Sequence, residues 1–167
     1  MPCPREPRNV QKQHRSLADA LLASIRMHQR YKARPGWMAW GLRKIARVKH
    51  VVYSVLTASD IDIRARFGSN LRLPHVTGVV IHGDVCLGDD CMVMQQVTIG
   101  QLALDGVPKI GSRVYIGAGA KVLGPIIIGD DAQIGANAVV LQDIPAGATA
   151  VGVPARLVFR RAVRWPT

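Results

Sequence analysis

The residue of this sequence best suited to chemistry is a histidine in an irregular stretch. His75 follows a proline in LRLPHVTG, residues 71–78. An imidazole titrates near pH 6.5, so it can act as a general base at neutral pH. A second histidine, His82, directly follows an aliphatic position and is expected to point outward. His75 is either a base or a polar residue that merely faces solvent, and the scaffold around it decides which.

The scaffold is visible as a repeat of six residues. A period of six fits neither a helix nor a long strand, but it fits a short strand, a corner and the next short strand. Three such sides close one coil, so the sequence predicts an all-β fold, a parallel β-helix with aliphatic residues inside. These residues are Ile81, Leu87, Val93 and Ile99, then Ile110, Ile116, Val122, Ile128, Ile134 and Val140.

Two interruptions break this period. The step from Leu73 to Ile81 is eight residues, which leaves two extra residues near His75. The step from Ile99 to Ile110 is eleven, so about five residues must leave the coil as a loop. Insertions in a repeat fold lie on its surface and commonly build the functional site. The position of His75 at an insertion therefore favours the catalytic interpretation.

Specific motifs lie in the same frame. They are PHVTGVVI, QQVTIG, PKIGSRVYIGAGAKVLG and IGANAVVLQDIPAGATAVGVPARLV. With these motifs, residues 59–158 resemble the hexapeptide-repeat acyltransferases, in particular the serine acetyltransferase-like branch. The resemblance implies a left-handed parallel β-helix assembled as a homotrimer, with acetyl-CoA bound in the groove between neighbouring subunits.

The resemblance also implies roles for individual residues. His75 matches the general base of the family, and Asp60, fifteen residues earlier, matches the aspartate that supports it. A hydroxyl must lose its proton as it attacks a thioester, and a carboxylate on the second ring nitrogen fixes the imidazole tautomer. Asp62 is the weaker candidate for this carboxylate, because it would point to the other side of the strand.

The donor side matches the family at several small residues. Gly100, Ala118 and Ala136 follow one another at intervals of three repeats, which predicts one position in successive coils, and Gly117 precedes the second of them. Small residues allow the pantetheine arm of acetyl-CoA to approach the backbone. The bases expected to meet the CoA phosphates are Lys121 and Arg156. Their alternative role is solvated charge on the edge of the β-helix, and no metal is expected.

The acceptor side departs from the serine enzymes. Pro74 replaces an aspartate, and Gly106 and Val107 replace an Arg-His pair in the extruded loop. Those family residues hold the charged groups of an amino acid, so their loss predicts a neutral acceptor, a sugar hydroxyl in polysaccharide biosynthesis. The alternatives are a serine O-acetyltransferase of cysteine biosynthesis and a non-catalytic β-helix interaction protein.

The positive charge is concentrated at the ends of the chain. The formal net charge is +11, and residues 1–50 carry 12 of the 22 Lys and Arg but two of the 11 acidic residues. The sequence therefore predicts a basic N-terminal helical segment at 1–56, a β-helix acyltransferase domain at 57–158 and a basic C-terminal tail at 159–167.

Two helices are predicted in the N-terminal segment. Ser16 is a suitable N-cap for a helix over residues 16–33, and a second helix is predicted from Trp37 to about Val55. The segment has two interpretations that can coexist. It can cap the open end of the β-helix, or it can lie as a basic amphipathic helix on an anionic membrane surface. The apolar stripe of the second helix comprises Trp37, Trp40, Ile45, Val48, Val52 and Val55.

Several classes of function are excluded at this stage. No nucleic-acid-binding motif accompanies the basic charge. Only two histidines, His75 and His82, fall in the repeat region, which is too few for a three-histidine zinc site. Three cysteines without ligand spacing and the lack of a signal-peptide pattern predict a cytoplasmic protein, with peripheral contact at the inner face of the membrane as the extension.

Overall fold

The computed structural model describes residues 16–103 and 106–158 as two helices followed by a parallel β-helix. The helices are α1 (Leu17–Lys32) and α2 (Trp37–Thr57). The strands are β1 (Asp60–Ile61), β2 (Arg66–Phe67), β3 (Val80–Ile81), β4 (Cys86–Leu87), β5 (Met92–Val93), β6 (Thr98–Gly100), β7 (Lys109–Ile110), β8 (Tyr115–Ile116), β9 (Lys121–Leu123), β10 (Ile127–Ile128), β11 (Gln133–Ile134), β12 (Val139–Val140), β13 (Thr149–Val151) and β14 (Arg156–Val158). The predicted basic tail at 159–167 lies outside the described residues.

The strands stack into three faces. The first face is β1-β3-β6-β9-β12, the second is β10-β7-β4-β2, and the third is β14-β13-β11-β8-β5. All pairings within these sheets are parallel except β13 with β14. Each strand is two or three residues long, because the chain turns a corner after every side of the coil. The predicted β-helix is thereby confirmed.

The interior contains the aliphatic residues of the six-residue repeat. Every predicted interior position from Ile81 to Val140 is at most 5% exposed. Partners in successive coils lie in register, as in the pairs Ile81–Ile99 and Val122–Val140. Burying each such side chain contributes roughly 1.5–3 kcal/mol, so this column is the main source of stability of the β-helix.

Both interruptions of the repeat are confirmed by the strand register. Asp60 pairs with Val80, so the first coil holds two residues more than the regular coil that joins Tyr115 to Gln133. Met92 pairs with Tyr115, so the coil with the second insertion holds five residues more than the regular coil. Its loop begins at Gln101 and returns at Pro108.

The helix α1 closes the open end of the β-helix. Ser16 and Asp19 form a capping box that fixes its start, as predicted for Ser16. Leu21 and Ile25 are fully buried in the same core as the first coil. The Nε2 of Gln29 donates to the carbonyl oxygens of Ile63 (3.2 Å) and Ala65 (2.7 Å). These carbonyls have no coil beneath them, so Gln29 supplies the hydrogen bonds that a further coil would give.

The helix α2 packs on α1 and turns its apolar stripe away from the protein. Its buried residues are Ala39, Ala46 and Thr57, which are small, so the two helices approach closely. The guanidinium of Arg43 also donates to the carbonyl of Lys32 (3.1 Å). Neither described helix is both long and apolar enough to cross a membrane.

Candidate active site

His75 lies at the corner where the chain passes from the third face to the first. We call this edge the His75 corner; it comprises residues 74–79, 94–97, 117–120 and 135–138. The imidazole is exposed, while Leu73 and Val76 near it are buried and anchor the bulge. The backbone is held by bonds from Gln96 N to Thr77 O (3.0 Å) and from Gly78 N to Ala58 O (2.9 Å). The histidine is therefore an exposed base on a fixed backbone.

The same corner carries the predicted small residues of the next coils. Gly119 N donates to Gln95 O (2.9 Å) and Asn137 N donates to Ala118 O (2.8 Å), which stacks Gln95, Ala118 and Ala136 in order. A Cβ on Gly117 would lie 2.6 Å from the backbone nitrogen of Ala136, so only glycine fits between these coils. The corner is thus a narrow edge of small residues leading away from His75.

Gly100 does not belong to this edge, which corrects its predicted position. It pairs with Leu123 at the far end of the first face. The interval of three repeats between Gly100 and Ala118 is misleading, because the coil that contains the loop is five residues longer than a regular coil. We call this opposite edge the loop corner; it comprises residues 62–65, 82–85, 101–103, 106–108 and 124–126.

Asp60 is the first residue of β1 and lies at the end of the first face that adjoins the His75 corner. It lies in an outward-facing row with Val80, Thr98 and Lys121, and its side chain is exposed. No hydrogen bond joins Asp60 to His75 in the described part of the chain. The structure therefore brings the two residues to the same end of one face without forming the predicted contact.

Asp62 and His82 lie on the other side of that face, at the loop corner. Arg64 donates to both carboxylate oxygens of Asp62, with its Nη2 2.9 Å from Oδ2. This hydrogen bonding is the main reason that the pKa of Asp62 lies below its usual value. The Nδ1 of His82 accepts from the backbone N–H of Asp84 (3.2 Å). Both side chains are engaged locally, and within one chain neither is hydrogen-bonded to His75.

The two predicted phosphate-binding bases lie near the upper coils. The Nζ of Lys121 donates to the carbonyl of Gln96 (2.9 Å) and to Oγ1 of Thr98 (3.1 Å), so the ammonium is held against the His75 corner. Arg156 is exposed on β14, opposite Val151. Its guanidinium donates to the carbonyl of Ala155 (3.2 Å).

A residue that the sequence did not single out lies between His75 and Ala118. The side-chain oxygen of Gln95 is buried and has no hydrogen-bond partner among the described residues. A buried acceptor without a partner costs about 1–3 kcal/mol, so it marks a place where a donor from elsewhere would be stabilising. The six-residue period carries no signal for it, because Gln95 is neither an interior position nor a break in the repeat.

A large groove lies mostly outside the His75 corner. A groove of about 1660 Å³ runs between α1 and the third face and is lined by residues such as Arg26, Met92 and Tyr115. It reaches Pro74 but none of the predicted donor-side residues. Within residues 16–103 and 106–158, no group of three or more His, Cys, Asp or Glu side chains could hold a metal ion.

Comparisons with known proteins agree with this geometry. Residues 108–142 match the family described as bacterial transferase hexapeptide (six repeats). A serine acetyltransferase of Helicobacter pylori strain J99 is 41% identical over 144 residues, which cover 84% of this chain and 80% of that protein. A serine acetyltransferase of Mycobacterium tuberculosis is 45% identical over 121 residues, covering 71% of this chain and 53% of that protein. A solved serine acetyltransferase in complex with CoA superposes with a TM-score of 0.72 and 35% identity, over 86% of this chain and 57% of that one.

These comparisons bear on the predicted acceptor. The chain spans about half the length of the Mycobacterium relative and of the CoA-bound structure, and four fifths of the Helicobacter relative. All three proteins are serine acetyltransferases. The polysaccharide type of acetyltransferase is not supported, and the alternative of a serine acceptor fits better.

Proposed function

Since this chain belongs to the serine acetyltransferase family, we propose that it transfers an acetyl group from acetyl-CoA to a hydroxyl, with His75 as the general base. The observation that carries the proposal is the His75 corner. The imidazole of His75 is exposed in the first coil of this corner, and the coils above it carry the small residues Gly117, Ala118 and Ala136. The chain is also similar to a serine acetyltransferase solved in complex with CoA. An edge of small residues can take a long, thin donor such as the pantetheine arm.

The reaction needs one base in two roles. The imidazole of His75 takes the proton of the acceptor hydroxyl while the hydroxyl oxygen attacks the thioester carbonyl. The carbon–sulfur bond then breaks, and the imidazolium returns the proton to the departing CoA sulfur. Asp60 is proposed to bind the second ring nitrogen and to stabilise the imidazolium. The missing contact in the free chain is consistent with this role, because catalytic hydrogen bonds often tighten only when substrate binds.

The donor would lie along the upper coils of the His75 corner. Ala118 and Ala136 leave the backbone accessible, and the unpartnered oxygen of Gln95 is available to an amide N–H of the pantetheine arm. Lys121 and Arg156 are the bases proposed for the CoA phosphates. Lys121 would have to exchange its contacts with Gln96 and Thr98 for a phosphate, and the exposed Arg156 would exchange its contact with the carbonyl of Ala155.

The complete site is proposed to lie between subunits of a trimer. In one chain, His75 and the extruded loop lie at opposite ends of the first face. A loop that contributes to the acceptor site is therefore proposed to come from a second chain. A homotrimer would place the loop corner of one chain beside the His75 corner of the next.

L-Serine is the first acceptor proposed, because the relatives reported above are serine acetyltransferases. A sugar hydroxyl is the second candidate, on one specific observation. Pro74, Gly106 and Val107 offer no charged group where the resemblance places the partners of an amino acid's ammonium and carboxylate. Leaving such charged groups unpaired in a desolvated site costs more than losing a neutral hydrogen bond.

The test is the release of free CoA thiol from acetyl-CoA in the presence of L-serine or of a panel of sugars and nucleotide sugars. Saturable release with L-serine would establish the serine acceptor. Release with a sugar and not with L-serine would establish the second candidate. A protein that binds acetyl-CoA but releases no thiol with any acceptor would favour a non-catalytic β-helix and contradict the proposal.

A further inference from the structure

The outward side of α2 is an exposed apolar surface. Its large apolar side chains are between 48% and 83% exposed, on the side opposite the buried Ala39 and Ala46. We call these residues the α2 stripe: Trp37, Met38, Trp40, Ile45, Val48, Val51, Val52, Val55 and Leu56. Nine such side chains on one helix exceed the scattered apolar residues of an ordinary surface, and a surface of this kind marks a binding site.

A basic pocket borders the α2 stripe. A cavity of about 460 Å³ lies between α1 and α2, and in the described part of the chain no acidic residue lines it. Trp40 belongs to both the pocket and the stripe, and the Nζ of Lys44 lies 5.5 Å from its ring. The basic pocket is lined by His28, Lys32, Trp40, Arg43, Lys44 and Arg47.

The inner wall of the pocket has an unused polar atom. His28 is 7% exposed, and its Nδ1 has no hydrogen-bond partner among the described residues. Burial lowers the pKa of His28, and the nearby positive charge of Arg47 lowers it further. The site therefore has a strong positive potential from its lysine and arginine side chains, which suits a bound phosphate group.

The charge distribution selects the occupant. No Asp or Glu occurs in α2, so a twofold contact of this face with the same face of a second copy would bring Lys44 and Arg47 near their own copies. A purely apolar partner would leave the charges of the basic pocket unbalanced. An anionic bilayer meets both requirements, because phosphates face the basic residues while tryptophan and aliphatic side chains enter the boundary of headgroups and acyl chains.

We propose that the α2 stripe docks this protein on an anionic lipid bilayer, with a lipid phosphate held in the basic pocket. The helix would lie in the plane of the membrane surface. An enzyme held in this way would act on acceptors at the membrane surface.

The experiment is flotation of the full-length protein with vesicles of phosphatidylcholine alone and of phosphatidylcholine mixed with phosphatidylglycerol. Binding is expected only to the mixed vesicles, and it should fall as salt is added. Arg47→Glu should weaken binding by at least about fivefold, because each basic residue near an anionic surface contributes about 1 kcal/mol. Arg66→Glu is the matched control, since Arg66 is an exposed residue of β2 outside the pocket, and it should retain binding.

A second pair of variants tests the apolar half of the surface. Val48→Glu should abolish binding, while Ile127→Glu, a similarly exposed aliphatic residue on β10, should not. Equal binding to both kinds of vesicle, or no difference within either pair, would overturn the proposal. The proposal would also be overturned if wild type bound neither kind of vesicle and Val48→Glu had a lower mass than wild type by light scattering. The α2 stripe would then be an interface between copies of the chain. Binding of inorganic phosphate without binding of mixed vesicles would also overturn the proposal.

Discussion

At the scale of residues, the geometry of the His75 corner depends on the missing side chain of Gly117 as much as on His75 itself. Gly117 lies against the backbone of Gly135 and Ala136 in the coil above, with no space for a side chain. Ala118 and Ala136 follow in the same edge. Gly117, which belongs to the motif that resembles a donor site, is therefore also required for the coils to stack.

Gly117→Ala is expected to destabilise the protein by about 1–3 kcal/mol, because the new Cβ would overlap backbone atoms that cannot move aside. Urea unfolding of both proteins measures the difference. Gly41→Ala is the matched control, since nothing lies within 4 Å of the added carbon. It should leave stability unchanged or raise it by about 0.5–1 kcal/mol, as in any helix interior. Equal effects of the two substitutions would show that the stacking contact at Gly117 is unimportant.

The sequence predicted the bulge at His75 correctly and the position of Gly100 wrongly. The reason is that a sequence shows spacing along the chain but not register between coils. An interruption of a strict repeat can be found in the sequence, so His75 could be placed at a bulge. The sequence does not show how a loop changes the register between the coils on either side of it. Three repeats therefore looked like one coil, although the loop makes that coil five residues longer. Gln95 could not be found at all, because its unpartnered oxygen depends on three-dimensional burial.

At the scale of elements, α1 and α2 have different tasks. The apolar side of α1 joins the core, and Gln29 closes the hydrogen bonding of the first coil. The helix α2 is held by small residues on one side and exposes its stripe on the other. Periodicity predicted both helices and the stripe, but it could not show which way the stripe faces. Periodicity marks the side of a helix with the most large apolar residues as the buried side. In α2 the buried side consists of small residues instead.

The packing of His28 between these helices predicts a dependence of stability on pH. Burial lowers its pKa, and Arg47 adds to the effect. Between that lowered pKa and the ordinary value of 6.5, the unfolded chain takes up a proton that the folded chain does not. Stability should therefore fall as the pH decreases through this window. His28→Gln should reduce the slope in thermal unfolding measured from pH 7 to pH 5, with the remainder due to His50, whose pKa burial also lowers, and His82→Gln should retain the full slope. An unchanged slope in His28→Gln would contradict the packing described for α1 and α2.

At the scale of the whole molecule, the proposed site is divided between two edges of one chain. The His75 corner and the loop corner bound the first face at its two ends, and a trimer would bring them together between chains. We expect the active protein to have three times the chain mass by light scattering. Activity per chain should fall on dilution as trimers dissociate. Full specific activity in a sample that is monomeric by light scattering would show that one chain suffices.

The most direct test of the account is the rate of CoA thiol release by His75→Asn, compared with wild type at saturating acetyl-CoA and acceptor. Loss of a general base should lower kcat by about 100-fold or more, while the Kd of acetyl-CoA from equilibrium dialysis stays within about twofold of wild type. Arg66→Gln, which changes an exposed residue of β2 on the second face, outside both corners, should keep its activity. If His75→Asn retained the wild-type rate, or if Arg66→Gln lost activity to the same extent, the claim that the site lies at the His75 corner would be contradicted.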